Sequence, residues 1–234
     1  MTDAHCHVSC GDSSVRELLI GRDFFGIHPW EIIDETTGTS RALVPDAPVV
    51  PDVPFLAALR SKLLVNPNSG VGEIGLDRLK VRDIPPLMRE VFEAQLSLAV
   101  ELGRPVVLHG AKCWGQVVTT VKRMIGGGLA TRDARQVFLF HGFSRSDGLI
   151  PEIVKLNGFI SVGPAVLNDH AVNYRELVKK IPLDRLLVET DRTSSAGSPS
   201  ISDVLAKTAD ILNISSEELE RITDGNADRF LGVV

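Results

Sequence analysis

The chain has 234 residues, of which 44% are hydrophobic and 24% charged, close to the values of ordinary globular proteins. This composition excludes a disordered or low-complexity chain and predicts a single domain over residues 1–234. The net charge of -5 supplies no overall field that attracts nucleic acid, so a polyanionic substrate has to be held by local cations or by metal.

Seven short apolar runs predict β-strands, with helical stretches between most of them. Strands that alternate with helices form parallel sheets, so the pattern predicts an α/β fold of the TIM-type β/α barrel class. The predicted strands are Thr2 to His7, Phe24 to His28, Val71 to Ile74, Pro105 to His109, Gln136 to His141, Phe159 to Val162 and Arg185 to Asp191.

Helix signals lie between these runs. Apolar residues at helical spacing predict a helix from about Pro86 to Leu102. Three further helices begin at start signals, near Pro54, at Ser200 and at Ser215. The stretch 34–53 lacks periodicity and follows a strand, which predicts a long loop on the face where barrel enzymes keep their chemistry and makes it a candidate lid.

The first predicted strand ends in two histidines. Side chains alternate along a strand, so His5 and His7 point to the same side and can chelate one metal ion. An isolated pair of this kind is more often an ordinary polar strand end. However, four later strands also end in potential ligands, namely Glu73, His109, His141 and Asp191. Because barrel sites are assembled from the carboxyl ends of strands, all six side chains are expected to meet at a metal site.

These strand ends belong to motifs with a known parallel. The segments are DAHCH at 3–7, GIHPW at 26–30, GEIGLD at 72–77, the stretch 89–109, FHGFS at 140–144, LLVETD at 186–191 and NADRF at 226–230. In this order and spacing they resemble the TatD family of metal-dependent hydrolases, which lies within the amidohydrolase-like barrels. The resemblance spans nearly the whole chain.

The resemblance implies two divalent metal ions, for which Mg, Mn and Zn are the candidates. The ligands it implies are His5, His7 and Asp191 for the first ion, His109 and His141 for the second, and Glu73 as a bridge between them. Paired ions of this kind polarise the scissile group and generate hydroxide from bound water. Asp191 is then expected to take the proton of that water as general base.

Four further residues are candidate substrate contacts. The resemblance implies that His28 faces the substrate, and a histidine hydrogen-bonded to backbone is an equal alternative. Lys112, Arg145 and Arg192 each follow a predicted ligand within a few residues, so they are candidate phosphate contacts at the barrel rim. The more frequent role of such residues is that of a surface cation.

Four other residues are expected to have roles other than metal ligation or phosphate binding. Glu189 shares the strand face of Asp191 and either orients a histidine ligand or forms a buried salt bridge. Asp3 is expected to act behind the ligands or to be structural. Trp30 stands where the family often has a second histidine, and His170 matches no motif and is expected to be a solvated loop residue.

The interval between His7 and His28 departs from the family pattern. Family members commonly carry an additional βα unit there, whereas about twenty residues are too few for a complete one. We therefore expect a barrel shortened to seven strands, with all six ligand positions retained.

Paired metals and the resemblance predict hydrolysis of phosphoester bonds, with DNA as the favoured substrate and a small phosphoester as the other. An amidohydrolase-type reaction on a small C–N or C–O substrate is the alternative, and a metal-binding protein without catalysis is a third hypothesis. The three cysteines lack a disulfide framework, and neither a signal peptide nor a membrane span is recognisable, which predicts a cytoplasmic protein. No obligate protein partner is expected, and the chain is expected to be a monomer or a weak homo-oligomer.

Overall fold

The computed structural model describes residues 1–32, 53–126 and 136–233. The predicted loop at 34–53 lies almost wholly outside the described residues, and its role as a lid is therefore outside them too. The described residues form two compact units: unit 1 is Met1–Arg22 with Phe138–Val234, and unit 2 is Asp23–Val137. The assignment of a single domain stays a prediction.

Strands and helices alternate along most of the chain. The strands are β1 Thr2–Cys6, β2 Arg16–Leu19, β3 Phe24–Phe25, β4 Gly70–Asp77, β5 Val106–Ala111, β6 Phe138–Phe140, β7 Gly158–Val162 and β8 Leu186–Val188. The helices are α1 Val53–Val65, α2 Pro86–Glu101, α3 Trp114–Met124, α4 Ile150–Lys155, α5 Val172–Val178, α6 Ile201–Leu212 and α7 Ser216–Leu231. The predicted α/β class is confirmed by this order and by the parallel pairing described below.

Unit 1 contains two sets of parallel strands. In the first, β1 pairs with β2, and in the second, β6, β7 and β8 pair in that order. Backbone hydrogen bonds join the end of β1 to the chain that follows β8, since the Asp191 amide donates to the His5 carbonyl at 3.0 Å. The His7 amide donates to the Arg192 carbonyl at 2.9 Å. The carboxyl ends of β1 and β8 are therefore held side by side.

Unit 2 contains the parallel strands β3, β4 and β5, with Gly75 of β4 opposite His109 of β5. All eight residues of β4 are buried, and the apolar stripe of α2 packs on this strand. Gly75 has a φ of +152°, and a Cβ atom there would lie 2.0 Å from the His109 carbonyl oxygen. Only glycine fits this close approach of the two strands.

The strand count corrects the sequence-based expectation. Seven strands were predicted, and the described residues contain eight, because Arg16–Leu19 forms a strand between His7 and His28. Its four residues begin with the charged pair Arg16 and Glu17, so it lacks an apolar run. The part of the expectation that concerned length holds: residues 7–28 contain no helix, so no complete βα unit lies there.

The helix signals in the sequence are confirmed. Helix α2 ends one residue before the predicted Leu102. Ser200 and Asp203 form a reciprocal capping box at the start of α6, and the Ser215 hydroxyl accepts the Glu218 amide at the start of α7. No helix in the described stretches combines the length and the apolar character needed to cross a membrane.

Candidate metal-binding site

In unit 1, three predicted ligands lie together at the joined ends of β1 and β8. The Nε2 atoms of His5 and His7 each lie 3.6 Å from Oδ1 of Asp191. Their ligand atoms all lie within 4.8 Å of one another. His5 is fully buried, whereas 47% of the Asp191 side chain is exposed, so the group has an open side toward solvent.

The spacing in this group fits a metal ion. Two atoms that each bind one ion at about 2.1 Å in tetrahedral geometry lie roughly 3.4 Å apart. The observed 3.6 Å is close to that separation and longer than an ordinary histidine–carboxylate hydrogen bond. Two imidazoles and one carboxylate with an open fourth position are the donor set of a catalytic zinc-type site.

A carboxylate behind this group fixes the chain beside Asp191. Asp3 accepts the Thr190 amide at 2.9 Å and the Thr190 hydroxyl at 2.6 Å, and both residues are buried. Burial raises the pKa of Asp3 to about 6, against the lowering effect of the hydrogen bonds from Thr190. Asp3 thus lies behind the candidate ligands, in the position that the sequence predicted for it.

His141 and Glu189 also lie in unit 1. The rings of His5 and His141 stack with centroids 4.0 Å apart. Nδ1 of His141 lies 3.7 Å from Oε1 of Glu189, which is beyond hydrogen-bond distance. Glu189 instead accepts the Gly142 amide at 2.7 Å and the Ser161 hydroxyl, so it fixes the chain that follows His141.

In unit 2, Glu73 and two histidines form a second group. Oε1 of Glu73 lies 2.5 Å from Nδ1 of His109 and 3.6 Å from Nε2 of His28. The ligand atoms of all three residues lie within 4.8 Å of one another. His28 was expected to face substrate without binding metal, and its place in this group makes it a candidate ligand as well.

Asp77 is a residue of this group that the sequence interpretation missed. Its Oδ2 lies 2.7 Å from Nε2 of His109 and accepts the Trp30 indole N–H at 2.8 Å. Burial raises the pKa of Asp77, but hydrogen bonds from His109, from the Leu79 amide and from Trp30 outweigh it, and the net pKa lies below the ordinary value. The signal was present in GEIGLD, since Glu73 and Asp77 are four residues apart on one strand and share a face.

The three predicted phosphate contacts lie in different surroundings. Lys112 and Arg145 are exposed, and both have a φ of +57°, a left-handed conformation that is rare for residues other than glycine. Arg192 is only 9% exposed and donates to the Pro199 carbonyl at 3.4 Å. Arg145 thus has the freer side chain of the two arginines.

A cavity of about 720 Å³ opens beside Asp191 within unit 1. Its wall combines the acidic pair Glu189 and Asp191 with Arg145, His170 and Tyr174. His170 is exposed, as expected, but it also faces this cavity. Tyr174 is fixed there because its hydroxyl accepts the Gly163 amide at 3.1 Å.

The family model for "TatD related DNase" matches residues 21–232. The chain belongs to this TatD family. One relative, the uncharacterized metal-dependent hydrolase YabD of Bacillus subtilis, is 30% identical over 176 residues, which cover 70% of this chain and 65% of YabD. Another, the 3'-5' ssDNA/RNA exonuclease TatD of Klebsiella pneumoniae, is 28% identical over 177 residues, which cover 70% of this chain and 65% of the relative. The chain therefore spans less than two thirds of the length of these TatD relatives.

A solved structure supports the fold. The TatD homologue YjjV of Escherichia coli superposes with a TM-score of 0.67 at 22% identity, over 96% of this chain and 79% of YjjV. This likeness confirms the predicted fold class, the TIM-type β/α barrel.

Proposed function

We propose that this chain is a metal-dependent hydrolase that cleaves phosphoester bonds, with nucleic-acid phosphodiesters as the favoured substrates. The observation that carries the proposal is the group of His5, His7 and Asp191, whose donor atoms are spaced as ligands around an ion. The names of the two relatives agree with this chemistry, since one is called a metal-dependent hydrolase and the other an exonuclease.

The proposed first ion is held by the unit 1 group. A divalent ion bound there would polarise the scissile phosphoester and lower the pKa of a bound water to near neutrality. His5 is held rigidly by burial, and Asp191 is partly exposed and so can reach a water molecule in the opening. Asp191 is the proposed general base, which accepts the proton of the attacking water on its carboxylate.

The proposed second ion is held in unit 2 by His109 and Glu73, with His28 as a third donor. Histidine nitrogens and carboxylate oxygens admit Zn and Mn and leave Mg possible, so the ligand chemistry does not select among the three ions. Ligation by His141 and bridging by Glu73 stay predictions.

The surroundings of Asp191 favour an anionic substrate. Arg145 lines the adjacent cavity, is exposed, and makes no ion pair with any residue that the structure describes. Its guanidinium is therefore available for a phosphate, which it can bind with two parallel hydrogen bonds. Such a local cation answers the objection raised by the overall charge of -5.

The test compares substrates and one variant with its matched control. Metal-loaded protein is incubated with a single-stranded oligonucleotide, a small phosphodiester, an amide and a lactone. We expect hydrolysis of both phosphodiesters, abolished by a chelator and lowered about 10²- to 10⁴-fold in Asp191→Asn. Asp210→Asn, the same change on the exposed face of α6, is expected to match the parent.

The other outcomes separate the competing hypotheses. Hydrolysis of the amide or the lactone alone would replace the proposal with the amidohydrolase-type alternative. Equal rates in the parent and in fully metallated Asp191→Asn would refute the base assignment. Inertness toward every substrate, with metal bound, would favour a metal-binding protein without catalysis.

A further inference from the structure

Trp30 is an exposed aromatic side chain that is fixed in place. Trp30 belongs to a 3-10 turn, Pro29–Ile32. The residue is 41% exposed, whereas the other tryptophan, Trp114, is 4% exposed. The indole N–H donates to Oδ2 of Asp77 at 2.8 Å, and the rings of Trp30 and His28 are nearly perpendicular with centroids 5.2 Å apart. An exposed indole held by two contacts keeps its orientation without the entropy loss of a mobile side chain.

The same contacts place this ring beside the candidate metal ligands of unit 2. Asp77 accepts from Trp30 and bonds His109 at 2.7 Å, so one carboxylate joins the exposed ring to the ligand. A group that lies against the Trp30 ring is therefore only a few side chains from the proposed second ion.

A cationic loop adjoins the ring. Nζ of Lys80 lies over one face of the Trp30 ring, 4.2 Å from its centroid, and the segment 78–83 carries Arg78, Lys80 and Arg82 against the single acid Asp83. All three cations are exposed. Arg78 donates to the Arg82 carbonyl at 3.0 Å, which closes the loop on itself. In a chain of net charge -5 this is a local positive surface beside an exposed aromatic ring, one face of which Lys80 covers.

We propose that Trp30 and Lys80 form a stacking site for an unpaired nucleobase of a single-stranded nucleic acid, with Lys80 binding the phosphate of the same nucleotide. The inference rests on the proposed function, which it narrows to substrates that carry an unpaired base. Base–aromatic stacking is tolerant of sequence because every base has a π face. The site therefore supplies affinity for single strands without selecting a particular base.

The test uses the emission of Trp30 itself. Because the chain has two tryptophans, Trp114→Phe leaves Trp30 as the only indole. Metal-loaded Trp114→Phe protein is titrated with a short phosphorothioate oligothymidine, which resists hydrolysis, and with an abasic phosphorothioate of the same length and charge. We expect the oligothymidine to quench the emission and to bind about 5- to 100-fold more tightly than the abasic chain.

Variants of the two residues separate stacking from charge. In the Trp114→Phe background, binding of labelled oligonucleotides is measured by anisotropy. Trp30→Leu is expected to remove the preference for the oligothymidine, while the exposed apolar control Leu64→Ala keeps it. Lys80→Ala is expected to weaken binding of both oligonucleotides. It is also expected to reduce the slope of log affinity against log salt concentration by about one.

Several results would overturn the assignment. Equal affinities for the two oligonucleotides, or a preference that survives Trp30→Leu, would remove the stacking site. Unchanged affinities and salt dependence in Lys80→Ala would remove the phosphate contact. Hydrolysis of a small phosphodiester by the same preparations separates this failure from failure of the proposed function: catalysis without a base preference rejects only the stacking site, and a base preference without catalysis rejects only the hydrolase.

Discussion

The two candidate metal-binding groups differ in how their donors are arranged. In unit 1, His5 and His7 each lie 3.6 Å from the Asp191 carboxylate, a separation suited to an ion between them. In unit 2, His109 is in direct contact with two carboxylates, Glu73 at Nδ1 and Asp77 at Nε2. The first group is spaced for metal, and the second is spaced for hydrogen bonds.

This difference has a thermodynamic consequence. An ion that binds His109 replaces the proton at one ring nitrogen and the hydrogen bond made there, whereas the unit 1 group needs little rearrangement. We therefore expect the unit 1 group to bind its ion more tightly. The contact of Asp77 with the other nitrogen of His109 is the kind that orients a ligand ring, so we propose Asp77 as a positioning residue for the second ion.

The largest effect is expected from loss of a unit 1 ligand. His7→Ala removes one of three donors, so affinity for the tighter ion is expected to fall. The loss is expected to exceed the roughly 10- to 100-fold that follows substitution of residues hydrogen-bonded to metal ligands. Calorimetric titration of the metal-free protein measures this, with His170→Ala as the control that removes an exposed histidine. Undiminished binding of the tighter ion in His7→Ala would contradict the order of affinities.

A smaller effect is expected from Asp77→Asn. The amide keeps the size of the side chain but loses the negative charge at Nε2 of His109, so affinity for the weaker ion is expected to fall about 10- to 100-fold. The tighter ion is expected to bind as in the parent. If Asp77→Asn lowers affinity for the tighter ion alone, the assignment of Asp77 to the weaker site is wrong.

The smallest effect is expected from Asp3→Asn, measured as the pH dependence of the free energy of unfolding in chelator-treated protein. The folded-state pKa of Asp3, about 6, lies above its unfolded value of 3.8. The folded protein then holds the proton more tightly, so this group lowers the free energy of unfolding as pH rises from about 4 to 6. Asp3→Asn cannot titrate and is expected to gain about 1–2 kcal/mol relative to the parent across that interval.

Asp77 is expected to show the opposite sign. Its folded-state pKa is lowered, so its stabilising contribution is present above the unfolded pKa and is lost as pH falls through the folded one. Asp77→Asn is therefore expected to be less stable than the parent at neutral pH, with the gap narrowing in acid. Urea denaturation at several pH values tests both variants, and a parallel response of the two would contradict the contrast.

Much of the fold followed from local patterns in the sequence. The stripe that forms α2 and the caps of α6 and α7 depend on residues three or four positions apart, so the sequence is enough to place them. Strand β2 was missed because it is short and begins with Arg16 and Glu17, and its parallel partner β1 is what defines it. A strand that is defined by its pairing partner leaves little trace in its own sequence.

The site shows the same division. That His5, His7 and Asp191 lie at strand ends was evident from the apolar runs before them, and the structure brings these three together. The contacts of His109 with two carboxylates were not evident, because they depend on the register that sets Gly75 opposite His109. The contact between Trp30, in a 3-10 turn, and Asp77, on β4, joins residues 47 positions apart and was not evident either.

Because of that register, the lack of a side chain at Gly75 affects His109 on the neighbouring strand as well as the local backbone. Any larger residue there would press on the carbonyl of His109 and push β5 away from the strand that carries Glu73 and Asp77. One methyl group, on a residue with no donor atom of its own, would then displace His109, the proposed ligand of the second ion. The second glycine of GEIGLD keeps the backbone of β5 close to β4, so we expect substitutions there to impair the proposed metal site as well as the fold.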